Sequence, residues 1–219
     1  MFIDFNVNEK KVVVVGGGAE GYRKLQNFLG STAEITIVSS EFSEGVKSIA
    51  VQGRISLKQM RIVDVKKFIE QLNPMPDMLL AVTDDLELNR QLVVSAKDAG
   101  CIVYSVSDPS LCDFIFPAVA HVGDNVKIAV STGGKSPAMA KELRQRIEGL
   151  VTREDLLEIE LQAYLRDVFK GCISDQRVRS RFLKEILNNV DVKHALREGN
   201  ICGAKELALK FVQNKEVNE

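Results

Sequence analysis

Apolar residues run along the first half of the chain in short blocks, each followed by a stretch with helical spacing. Lys11–Gly16 (KVVVVG) is a continuous β-branched run, the pattern of a strand buried on both faces. Glu20–Leu29 then repeats apolar residues at helical spacing, and Gly30 stands where a helix C-cap is expected. Glu34–Val38 predicts a second strand, Phe42–Val51 a short helix and Ile55–Leu57 a short third strand. Val65–Leu72 reads as a helix that stops before Asn73–Pro74. Met78–Thr83 predicts another buried strand, Glu87–Ala99 a helix closed by Gly100, and Cys101–Val106 a strand. Strands alternating with helices imply right-handed crossovers and a parallel, doubly wound sheet.

The pattern then changes. Pro117–Val122 and Val126–Ser131 flank Gly123-Asp124-Asn125, which predicts a β-hairpin with a glycine-containing turn. Ser131–Ser136 (STGGKS) leads into a helix over Pro137–Glu148, with Ser136 as N-cap and Pro137 at the first helical position. Helices follow at roughly Arg153–Lys170, Gln176–Leu187, Val192–Arg197 and Ala204–Val212. All five prolines and 12 of the 15 glycines lie before residue 150, which puts a boundary near Gly149–Arg153. The expected organisation is a parallel-sheet domain over 1–113, a central hairpin and helix over 114–150, and a helical domain over 151–219.

Composition narrows the function classes. Twenty-nine basic residues against 30 acidic ones exclude the footprint of a general nucleic-acid binder. Ten Phe, three Tyr and no Trp argue against a base-stacking platform. No apolar run reaches the roughly 20 residues of a membrane span. The start, MFIDFNVNEKK, lacks the apolar stretch of a signal peptide. Cys101, Cys112, Cys172 and Cys202 form no CxxC pair, so the expectation is reduced thiols in the cytoplasm. Two histidines, His121 and His194, rule out a His-rich metal site, and no metal is expected.

Four segments can carry chemistry. Gly16, Gly18 and Gly21 form G-x-G-x-x-G directly after a strand and at the start of a helix. There the glycines permit a tight turn, and the helix N-terminus offers N–H donors to a pyrophosphate. Ser40 and Glu41 follow the second strand, where a ribose diol would bind, and no Lys or Arg occurs between Ile37 and Val46. That favours NAD over NADP. Thr83, Asp84 and Asp85 end the strand after the crossover, as cofactor contacts, as an N-cap for the following helix, or as both. Asp108 and Asp113 flank a turn after the next strand; each is a candidate acid/base, with Cys112 beside them, although Asp-Pro is also plain turn chemistry. Ser131–Ser136 reads as an anion cradle with Lys135 as an added cation. It is not a Walker A loop, because position 129 is Ala.

Three segments together resemble a known family: VVVVGGGAEGYRKLQNFL (12–29), AVTDDLELNRQL (81–92) and SDPSLCDFIFPAVAHVGDNVKIAVSTGGKSPAMAKELRQRIE (107–148). They are similar to precorrin-2 dehydrogenase, the N-terminal module of siroheme synthase. The resemblance implies a Rossmann domain, a central dimerisation region, a helical domain and an intertwined homodimer. It implies NAD-dependent oxidation of precorrin-2 to sirohydrochlorin, with iron insertion as an additional activity in some members. Carried over by motif, Ala19 and Glu20 meet the pyrophosphate and Ser40 and Glu41 lie at the adenosine end, beside the Gly16, Gly18 and Gly21 turn and the Thr83 and Asp84 strand end already placed at the cofactor. Thr132, Gly133, Gly134, Lys135 and Ser136 face the tetrapyrrole, whose acid side chains Lys141 and Arg144 could also pair with. A gapless match puts the family's aspartate at Ser107, and a one-residue shift puts it at Asp108; Asp108 is preferred because a hydroxyl cannot replace a carboxylate in proton transfer. Two other readings stand beside this one: a bifunctional dehydrogenase and ferrochelatase, and a non-catalytic NAD sensor with the helical tail as its output.

Overall fold

The computed structural model describes residues 3–216. The chain divides into two compact units, one ending at Phe116 and the other starting at Pro117.

The first unit is a three-layer α/β/α fold. Its strands are β1 (Lys11–Val15), β2 (Glu34–Ser39), β3 (Ser56–Gln59), β4 (Met78–Ala81) and β5 (Ile102–Ser105). All pair in parallel, in the order β3-β2-β1-β4-β5. β1 shows why a β-branched run sits at the centre. Val12 and Val14 point to one face, against Leu25, Phe28, Val46 and Ile49 of α1 (Ala19–Leu25), the turn after it and α2 (Glu44–Val51). Val13 and Val15 point to the other, against Phe68 of α3 (Val65–Glu70) and Leu92 and Ala96 of α4 (Leu86–Asp98). Each valine buried this way contributes about 1.5–3 kcal/mol, so the strand stabilises both layers at once.

In the sheet unit, α1 and β3 depart from the sequence pattern for identifiable reasons. α1 stops at Leu25, four residues short of the predicted end, and Gly30 is not its cap. The Asn27 amide donates to the Arg23 and Lys24 carbonyls, and the backbone tightens to a Phe28 N–H to Leu25 bond. A side chain competing for helix carbonyls ends the helix early and turns Phe28 into the core. β3 lies two residues later than the apolar pattern indicates at its far end, and all four of its residues are exposed. As an edge strand it is set by its ladder to Thr36–Ser39, not by burial.

The second unit contains an antiparallel hairpin, β6 (Ala118–Val122) and β7 (Val126–Val130). Gly123 takes φ +58° at its turn. α5 (Pro137–Glu148) packs on the hairpin and is capped by Ser136, whose hydroxyl accepts from the Met139 N–H. Then come α6 (Arg153–Cys172), α7 (Gln176–Leu187), α8 (Val190–Arg197) and α9 (Ile201–Glu216). Their core joins Leu161, Leu165, Phe169, Phe182, Ile186, Leu196 and Ala208. α6 starts on a reciprocal capping box between Thr152 and Asp155.

Candidate functional site

In the sheet unit, the strand order reverses beside β1, so a crevice opens outside the carboxyl ends of β1 and β4. The β1–α1 turn forms one wall. Gly16 has φ +123°, and a Cβ there would overlap the Val82 carbonyl. At Gly21 a Cβ would overlap the Gly16 carbonyl, and at Gly17 the Glu41 carbonyl. These three glycines let backbone pack on backbone. Gly18 is different: it is exposed, extended, and nothing lies within 4 Å of its added Cβ. It caps α1 without any side-chain hydrogen bond. An open glycine at a helix start with no side chain over it is a surface that a phosphate group fits.

Glu20, in the first turn of α1, accepts a fork of hydrogen bonds from Arg23 and lies 3.7 Å from the Lys24 ammonium. Those cations hold its carboxyl below the usual value of 4.5, with the Arg23 hydrogen bond as the main cause. Lys24 is buried at 5% exposure, its ammonium 4.5 Å from the centroids of both Tyr104 and Phe116. Burial, then the neighbouring Arg23, pushes its pKa below 10.5. This residue was not among the candidates from sequence. The signal was there: Gly21, Lys24, Leu25 and Phe28 follow the i, i+3, i+4, i+7 spacing of a buried stripe.

At the end of β2, Ser40 and Glu41 are exposed, and the Ser40 carbonyl accepts from the Gln59 amide. At the end of β4, Thr83 is tied into its own turn. Its hydroxyl lies 2.7 Å from Asn89 Oδ1 and accepts from the Asp85 N–H, while the Asn89 amide donates to the Thr83 carbonyl. Asn89 is fully buried and was also missed; its role is to pin this turn. Of the two adjacent aspartates, Asp85 is the cap of α4, accepting from the Leu88 N–H, and Asp84 is left exposed.

After β5, the two alternatives for the family aspartate lie side by side. The Ser107 hydroxyl is 3.0 Å from the Ser105 hydroxyl, which also accepts the Ser107 and Asp108 N–H groups. Asp108 Oδ1 accepts from the Ser110 hydroxyl at 2.6 Å and from the Ser110 N–H at 2.9 Å, starting a 3₁₀ turn over Pro109–Leu111. These bonds, with the positive charge of Arg90 further off, hold its carboxyl below 3.8. Ser107 and Asp108 line an open cleft of about 320 Å³ with Leu86, Glu87 and Arg90. Asp113, the second carboxylate expected at this turn, is used structurally: it accepts from the Val103 N–H and pairs with Lys97. The Cys112 thiol bonds back to Ser105.

The Ser131–Ser136 loop belongs to the other unit. Gly133 and Gly134 take φ +60° and +79°. The Thr132 hydroxyl accepts from the Ser136 N–H at 3.0 Å and donates to the Ser136 carbonyl at 3.1 Å, so it closes the loop on itself. Lys135 and Lys141 are exposed, whereas Arg144 pairs with Glu148 at 2.7 Å. His121 is exposed on β6, and His194 faces solvent beside Glu198. Among the described residues, no three His, Cys, Asp or Glu side chains converge as metal ligands, and no helix is long and apolar enough to cross a membrane.

Comparison with known proteins identifies the family. Residues 3–118 match the family described as "Putative NAD(P)-binding", and residues 124–150 match "Sirohaem biosynthesis protein central". Precorrin-2 dehydrogenase of Methanosarcina barkeri is 31% identical over 214 residues, covering 97% of this chain and 93% of that protein. The chain belongs to the precorrin-2 dehydrogenase family. Siroheme synthase of Methylococcus capsulatus is 33% identical over 84% of the chain, which spans only 38% of that longer enzyme. The fold of this family member also matches a solved structure of SirC, precorrin-2 dehydrogenase, with a TM-score of 0.76 at 20% identity, over 96% of this chain and 99% of that one. The NAD(P)-binding family model falls on the sheet unit, which contains the glycine turn.

Proposed function

We propose that the protein oxidises precorrin-2 to sirohydrochlorin, with NAD as acceptor. The observation that supports this most directly is an ionised carboxylate, Asp108, in a cleft at the carboxyl end of β5, one strand from the switch-point crevice. Membership of the precorrin-2 dehydrogenase family supplies the substrate class. Bound on the glycine turn, the nicotinamide supplies the hydride acceptor.

This chain's own residues then have distinct tasks. Gly16 and Gly21 keep the turn tight, and Gly18 with the N–H groups at Ala19 and Glu20 receives the pyrophosphate. Ser40 and Glu41, exposed at the end of β2, receive the adenosine ribose. Glu41 favours a free diol, and no cation between residues 37 and 46 would hold a 2′-phosphate, so NAD is preferred to NADP. Asp108 takes the proton lost from the macrocycle as the hydride leaves. Its Ser110 bonds keep it ionised at neutral pH, so it is suited to accept a proton rather than to donate one. Thr83 and Asp84 border the crevice; within the second unit, the Thr132–Ser136 loop carries Lys135 as an exposed cation suited to pairing with acid groups.

We assign the central region over 114–150 to homodimer formation. The hairpin pairs only β6 with β7 among the described residues, and Met139, Ile147 and Leu150 are exposed on and after α5. A mass measurement in solution tests this: a dimer is expected, and a monomer at micromolar concentration removes the assignment.

The deciding assay is anaerobic turnover of enzymatically generated precorrin-2 with NAD, following NADH and the sirohydrochlorin spectrum. Stoichiometric NADH is expected. Cofactor binding without turnover of intact substrate would refute the dehydrogenase. Adding cobalt or ferrous ion afterwards tests metal insertion separately. Asp108→Asn keeps the turn, because an amide oxygen still accepts from Ser110, and should lower kcat by about 10²-fold or more. Ser107→Ala should leave kcat within a few-fold. Equal effects of the two would remove Asp108 from the proton step.

A further inference from the structure

The geometry points to Arg90 as the anchor for a carboxylate of the substrate, seated in the same cleft as Asp108; this rests on the function proposed above. Leu86 and Arg90 are one helical turn apart on α4, so they share a face. That face borders the cleft, with Glu87 on the same turn and Ser107 and Asp108 across it. Among the described residues, no hydrogen bond or ion pair engages the Arg90 guanidinium, although its charge is felt at Asp108. Asp108 is held by Ser110. Glu87 accepts from the Gln91 amide. The cleft therefore presents a fork of N–H donors and an ionised base that are not closed on one another.

A ligand that completes this arrangement carries an acid group for Arg90 and a proton for Asp108 within one molecule. A planar guanidinium binds a carboxylate through two parallel bonds, which fixes orientation as well as position. Leu86, 68% exposed at the rim, offers an apolar surface to the body of the ligand. Glu87 repels any acid group placed over it, so only one side of the cleft accepts the carboxylate. A flat macrocycle bearing several acid side chains has all three features. Anchoring one of them at Arg90 would set which macrocycle carbon faces the crevice. Arg90 is thus a positioning residue, distinct from the base it stands beside.

The test uses full-length protein and two readouts. The first is fluorescence anisotropy of an octacarboxylate porphyrin, uroporphyrin I, at low salt. The second is steady-state turnover of precorrin-2 with NAD. Arg90→Met should weaken porphyrin binding about tenfold and raise the precorrin-2 KM by a similar factor, as loss of one charge-assisted pair predicts. The NAD KM and Tm should stay near wild type, and Arg90→Lys should recover part of the loss. If wild type binds the porphyrin and Arg90→Met binds it equally, the anchor is wrong while the dehydrogenase reading stands. A wild type that turns over precorrin-2 with a KM unchanged by Arg90→Met also overturns the anchor. A wild type that neither binds the porphyrin nor turns over precorrin-2 overturns both.

Discussion

Two glycine-rich turns open helices in this chain, and they need glycine for different reasons. In the β1–α1 turn, the demand at Gly17 and Gly21 is space, because an added Cβ would overlap a carbonyl at each, and Gly16 adds a φ of +123° to the same overlap. In the β7–α5 turn, Gly133 and Gly134 have nothing within 4 Å, and the demand is only their positive φ. The first turn is built into the sheet, with Gly16 donating to the Val38 carbonyl and the Gly17 carbonyl accepting from Ser43. The second is closed by its own side chains, Ser131, Thr132 and Ser136. Similar composition therefore hides two mechanisms, one of packing and one of conformation.

The largest effect that separates them is expected at Gly21. Gly21→Ala has no room and should destabilise the protein by roughly 3 kcal/mol or more, as overpacking against rigid backbone does. Denaturant unfolding measures this; a midpoint near wild type would show that α1 shifts freely on the sheet. Gly134→Ala should cost only about 1–2 kcal/mol, the price of a left-handed backbone for a residue with a Cβ. If the two substitutions cost the same, the distinction between the turns fails.

Gly18 sharpens the comparison, because neither demand applies to it. Its φ of −79° suits any residue and its surroundings are open. Gly18→Val should cost about 1 kcal/mol at most, through the poorer helix cap, yet raise the NAD KM on the order of tenfold, by covering the N–H groups a phosphate would use. An unchanged KM would place the pyrophosphate elsewhere. In the second turn, Ser136→Ala removes the cap of α5 and should cost about 1 kcal/mol.

These turns also show how far the sequence can be read. The glycine turn was legible because β1 ends and α1 begins at fixed distances around it, and Ser136 with Pro137 marked the start of α5 to the residue. The closing of Thr132 onto Ser136 was not legible, because it depends on a loop geometry that no periodicity reports. Asp108 and Asp113 looked equivalent in sequence. Only the placement of Lys97 and the Val103 N–H separates a structural carboxylate from one left in a cleft. The choice of Asp85 over Asp84 as cap depended likewise on where the chain turns into α4. Gln26–Gly30 read as helix because Phe28 and Leu29 keep the spacing, while the competing Asn27 amide bonds are local chemistry the spacing cannot see.

Asp108 and Lys24 carry the pH dependence, and they act at opposite ends of the scale. Asp108 is held below 3.8, so a reaction that needs it ionised should be flat through neutral pH on the acid side and fall only below about that value. An acid limb centred near pH 6 in kcat/KM would mean another group takes the proton.

Lys24→Met should change stability at neutral pH only modestly. Lys24 and Lys135 both follow a glycine turn, but Lys135 is exposed and Lys24 lies beneath Glu20 against two aromatic rings. Met fills a similar volume and removes the buried charge together with its desolvation cost, so the change should stay within about 1 kcal/mol provided its partner carboxylate remains paired. Glu20 is not orphaned, because Arg23 still holds it. The sign of the pH effect follows from linkage. The folded-state pKa of Lys24 lies below 10.5, so between the two values the unfolded chain binds more protons than the native one, and stability rises with pH across that window. Subtracting the Lys24→Met stability curve from wild type should leave a difference that climbs toward alkaline pH. A flat difference would mean that the Glu20 carboxylate and the two rings fully offset the burial, and that this lysine is as comfortable as one in water.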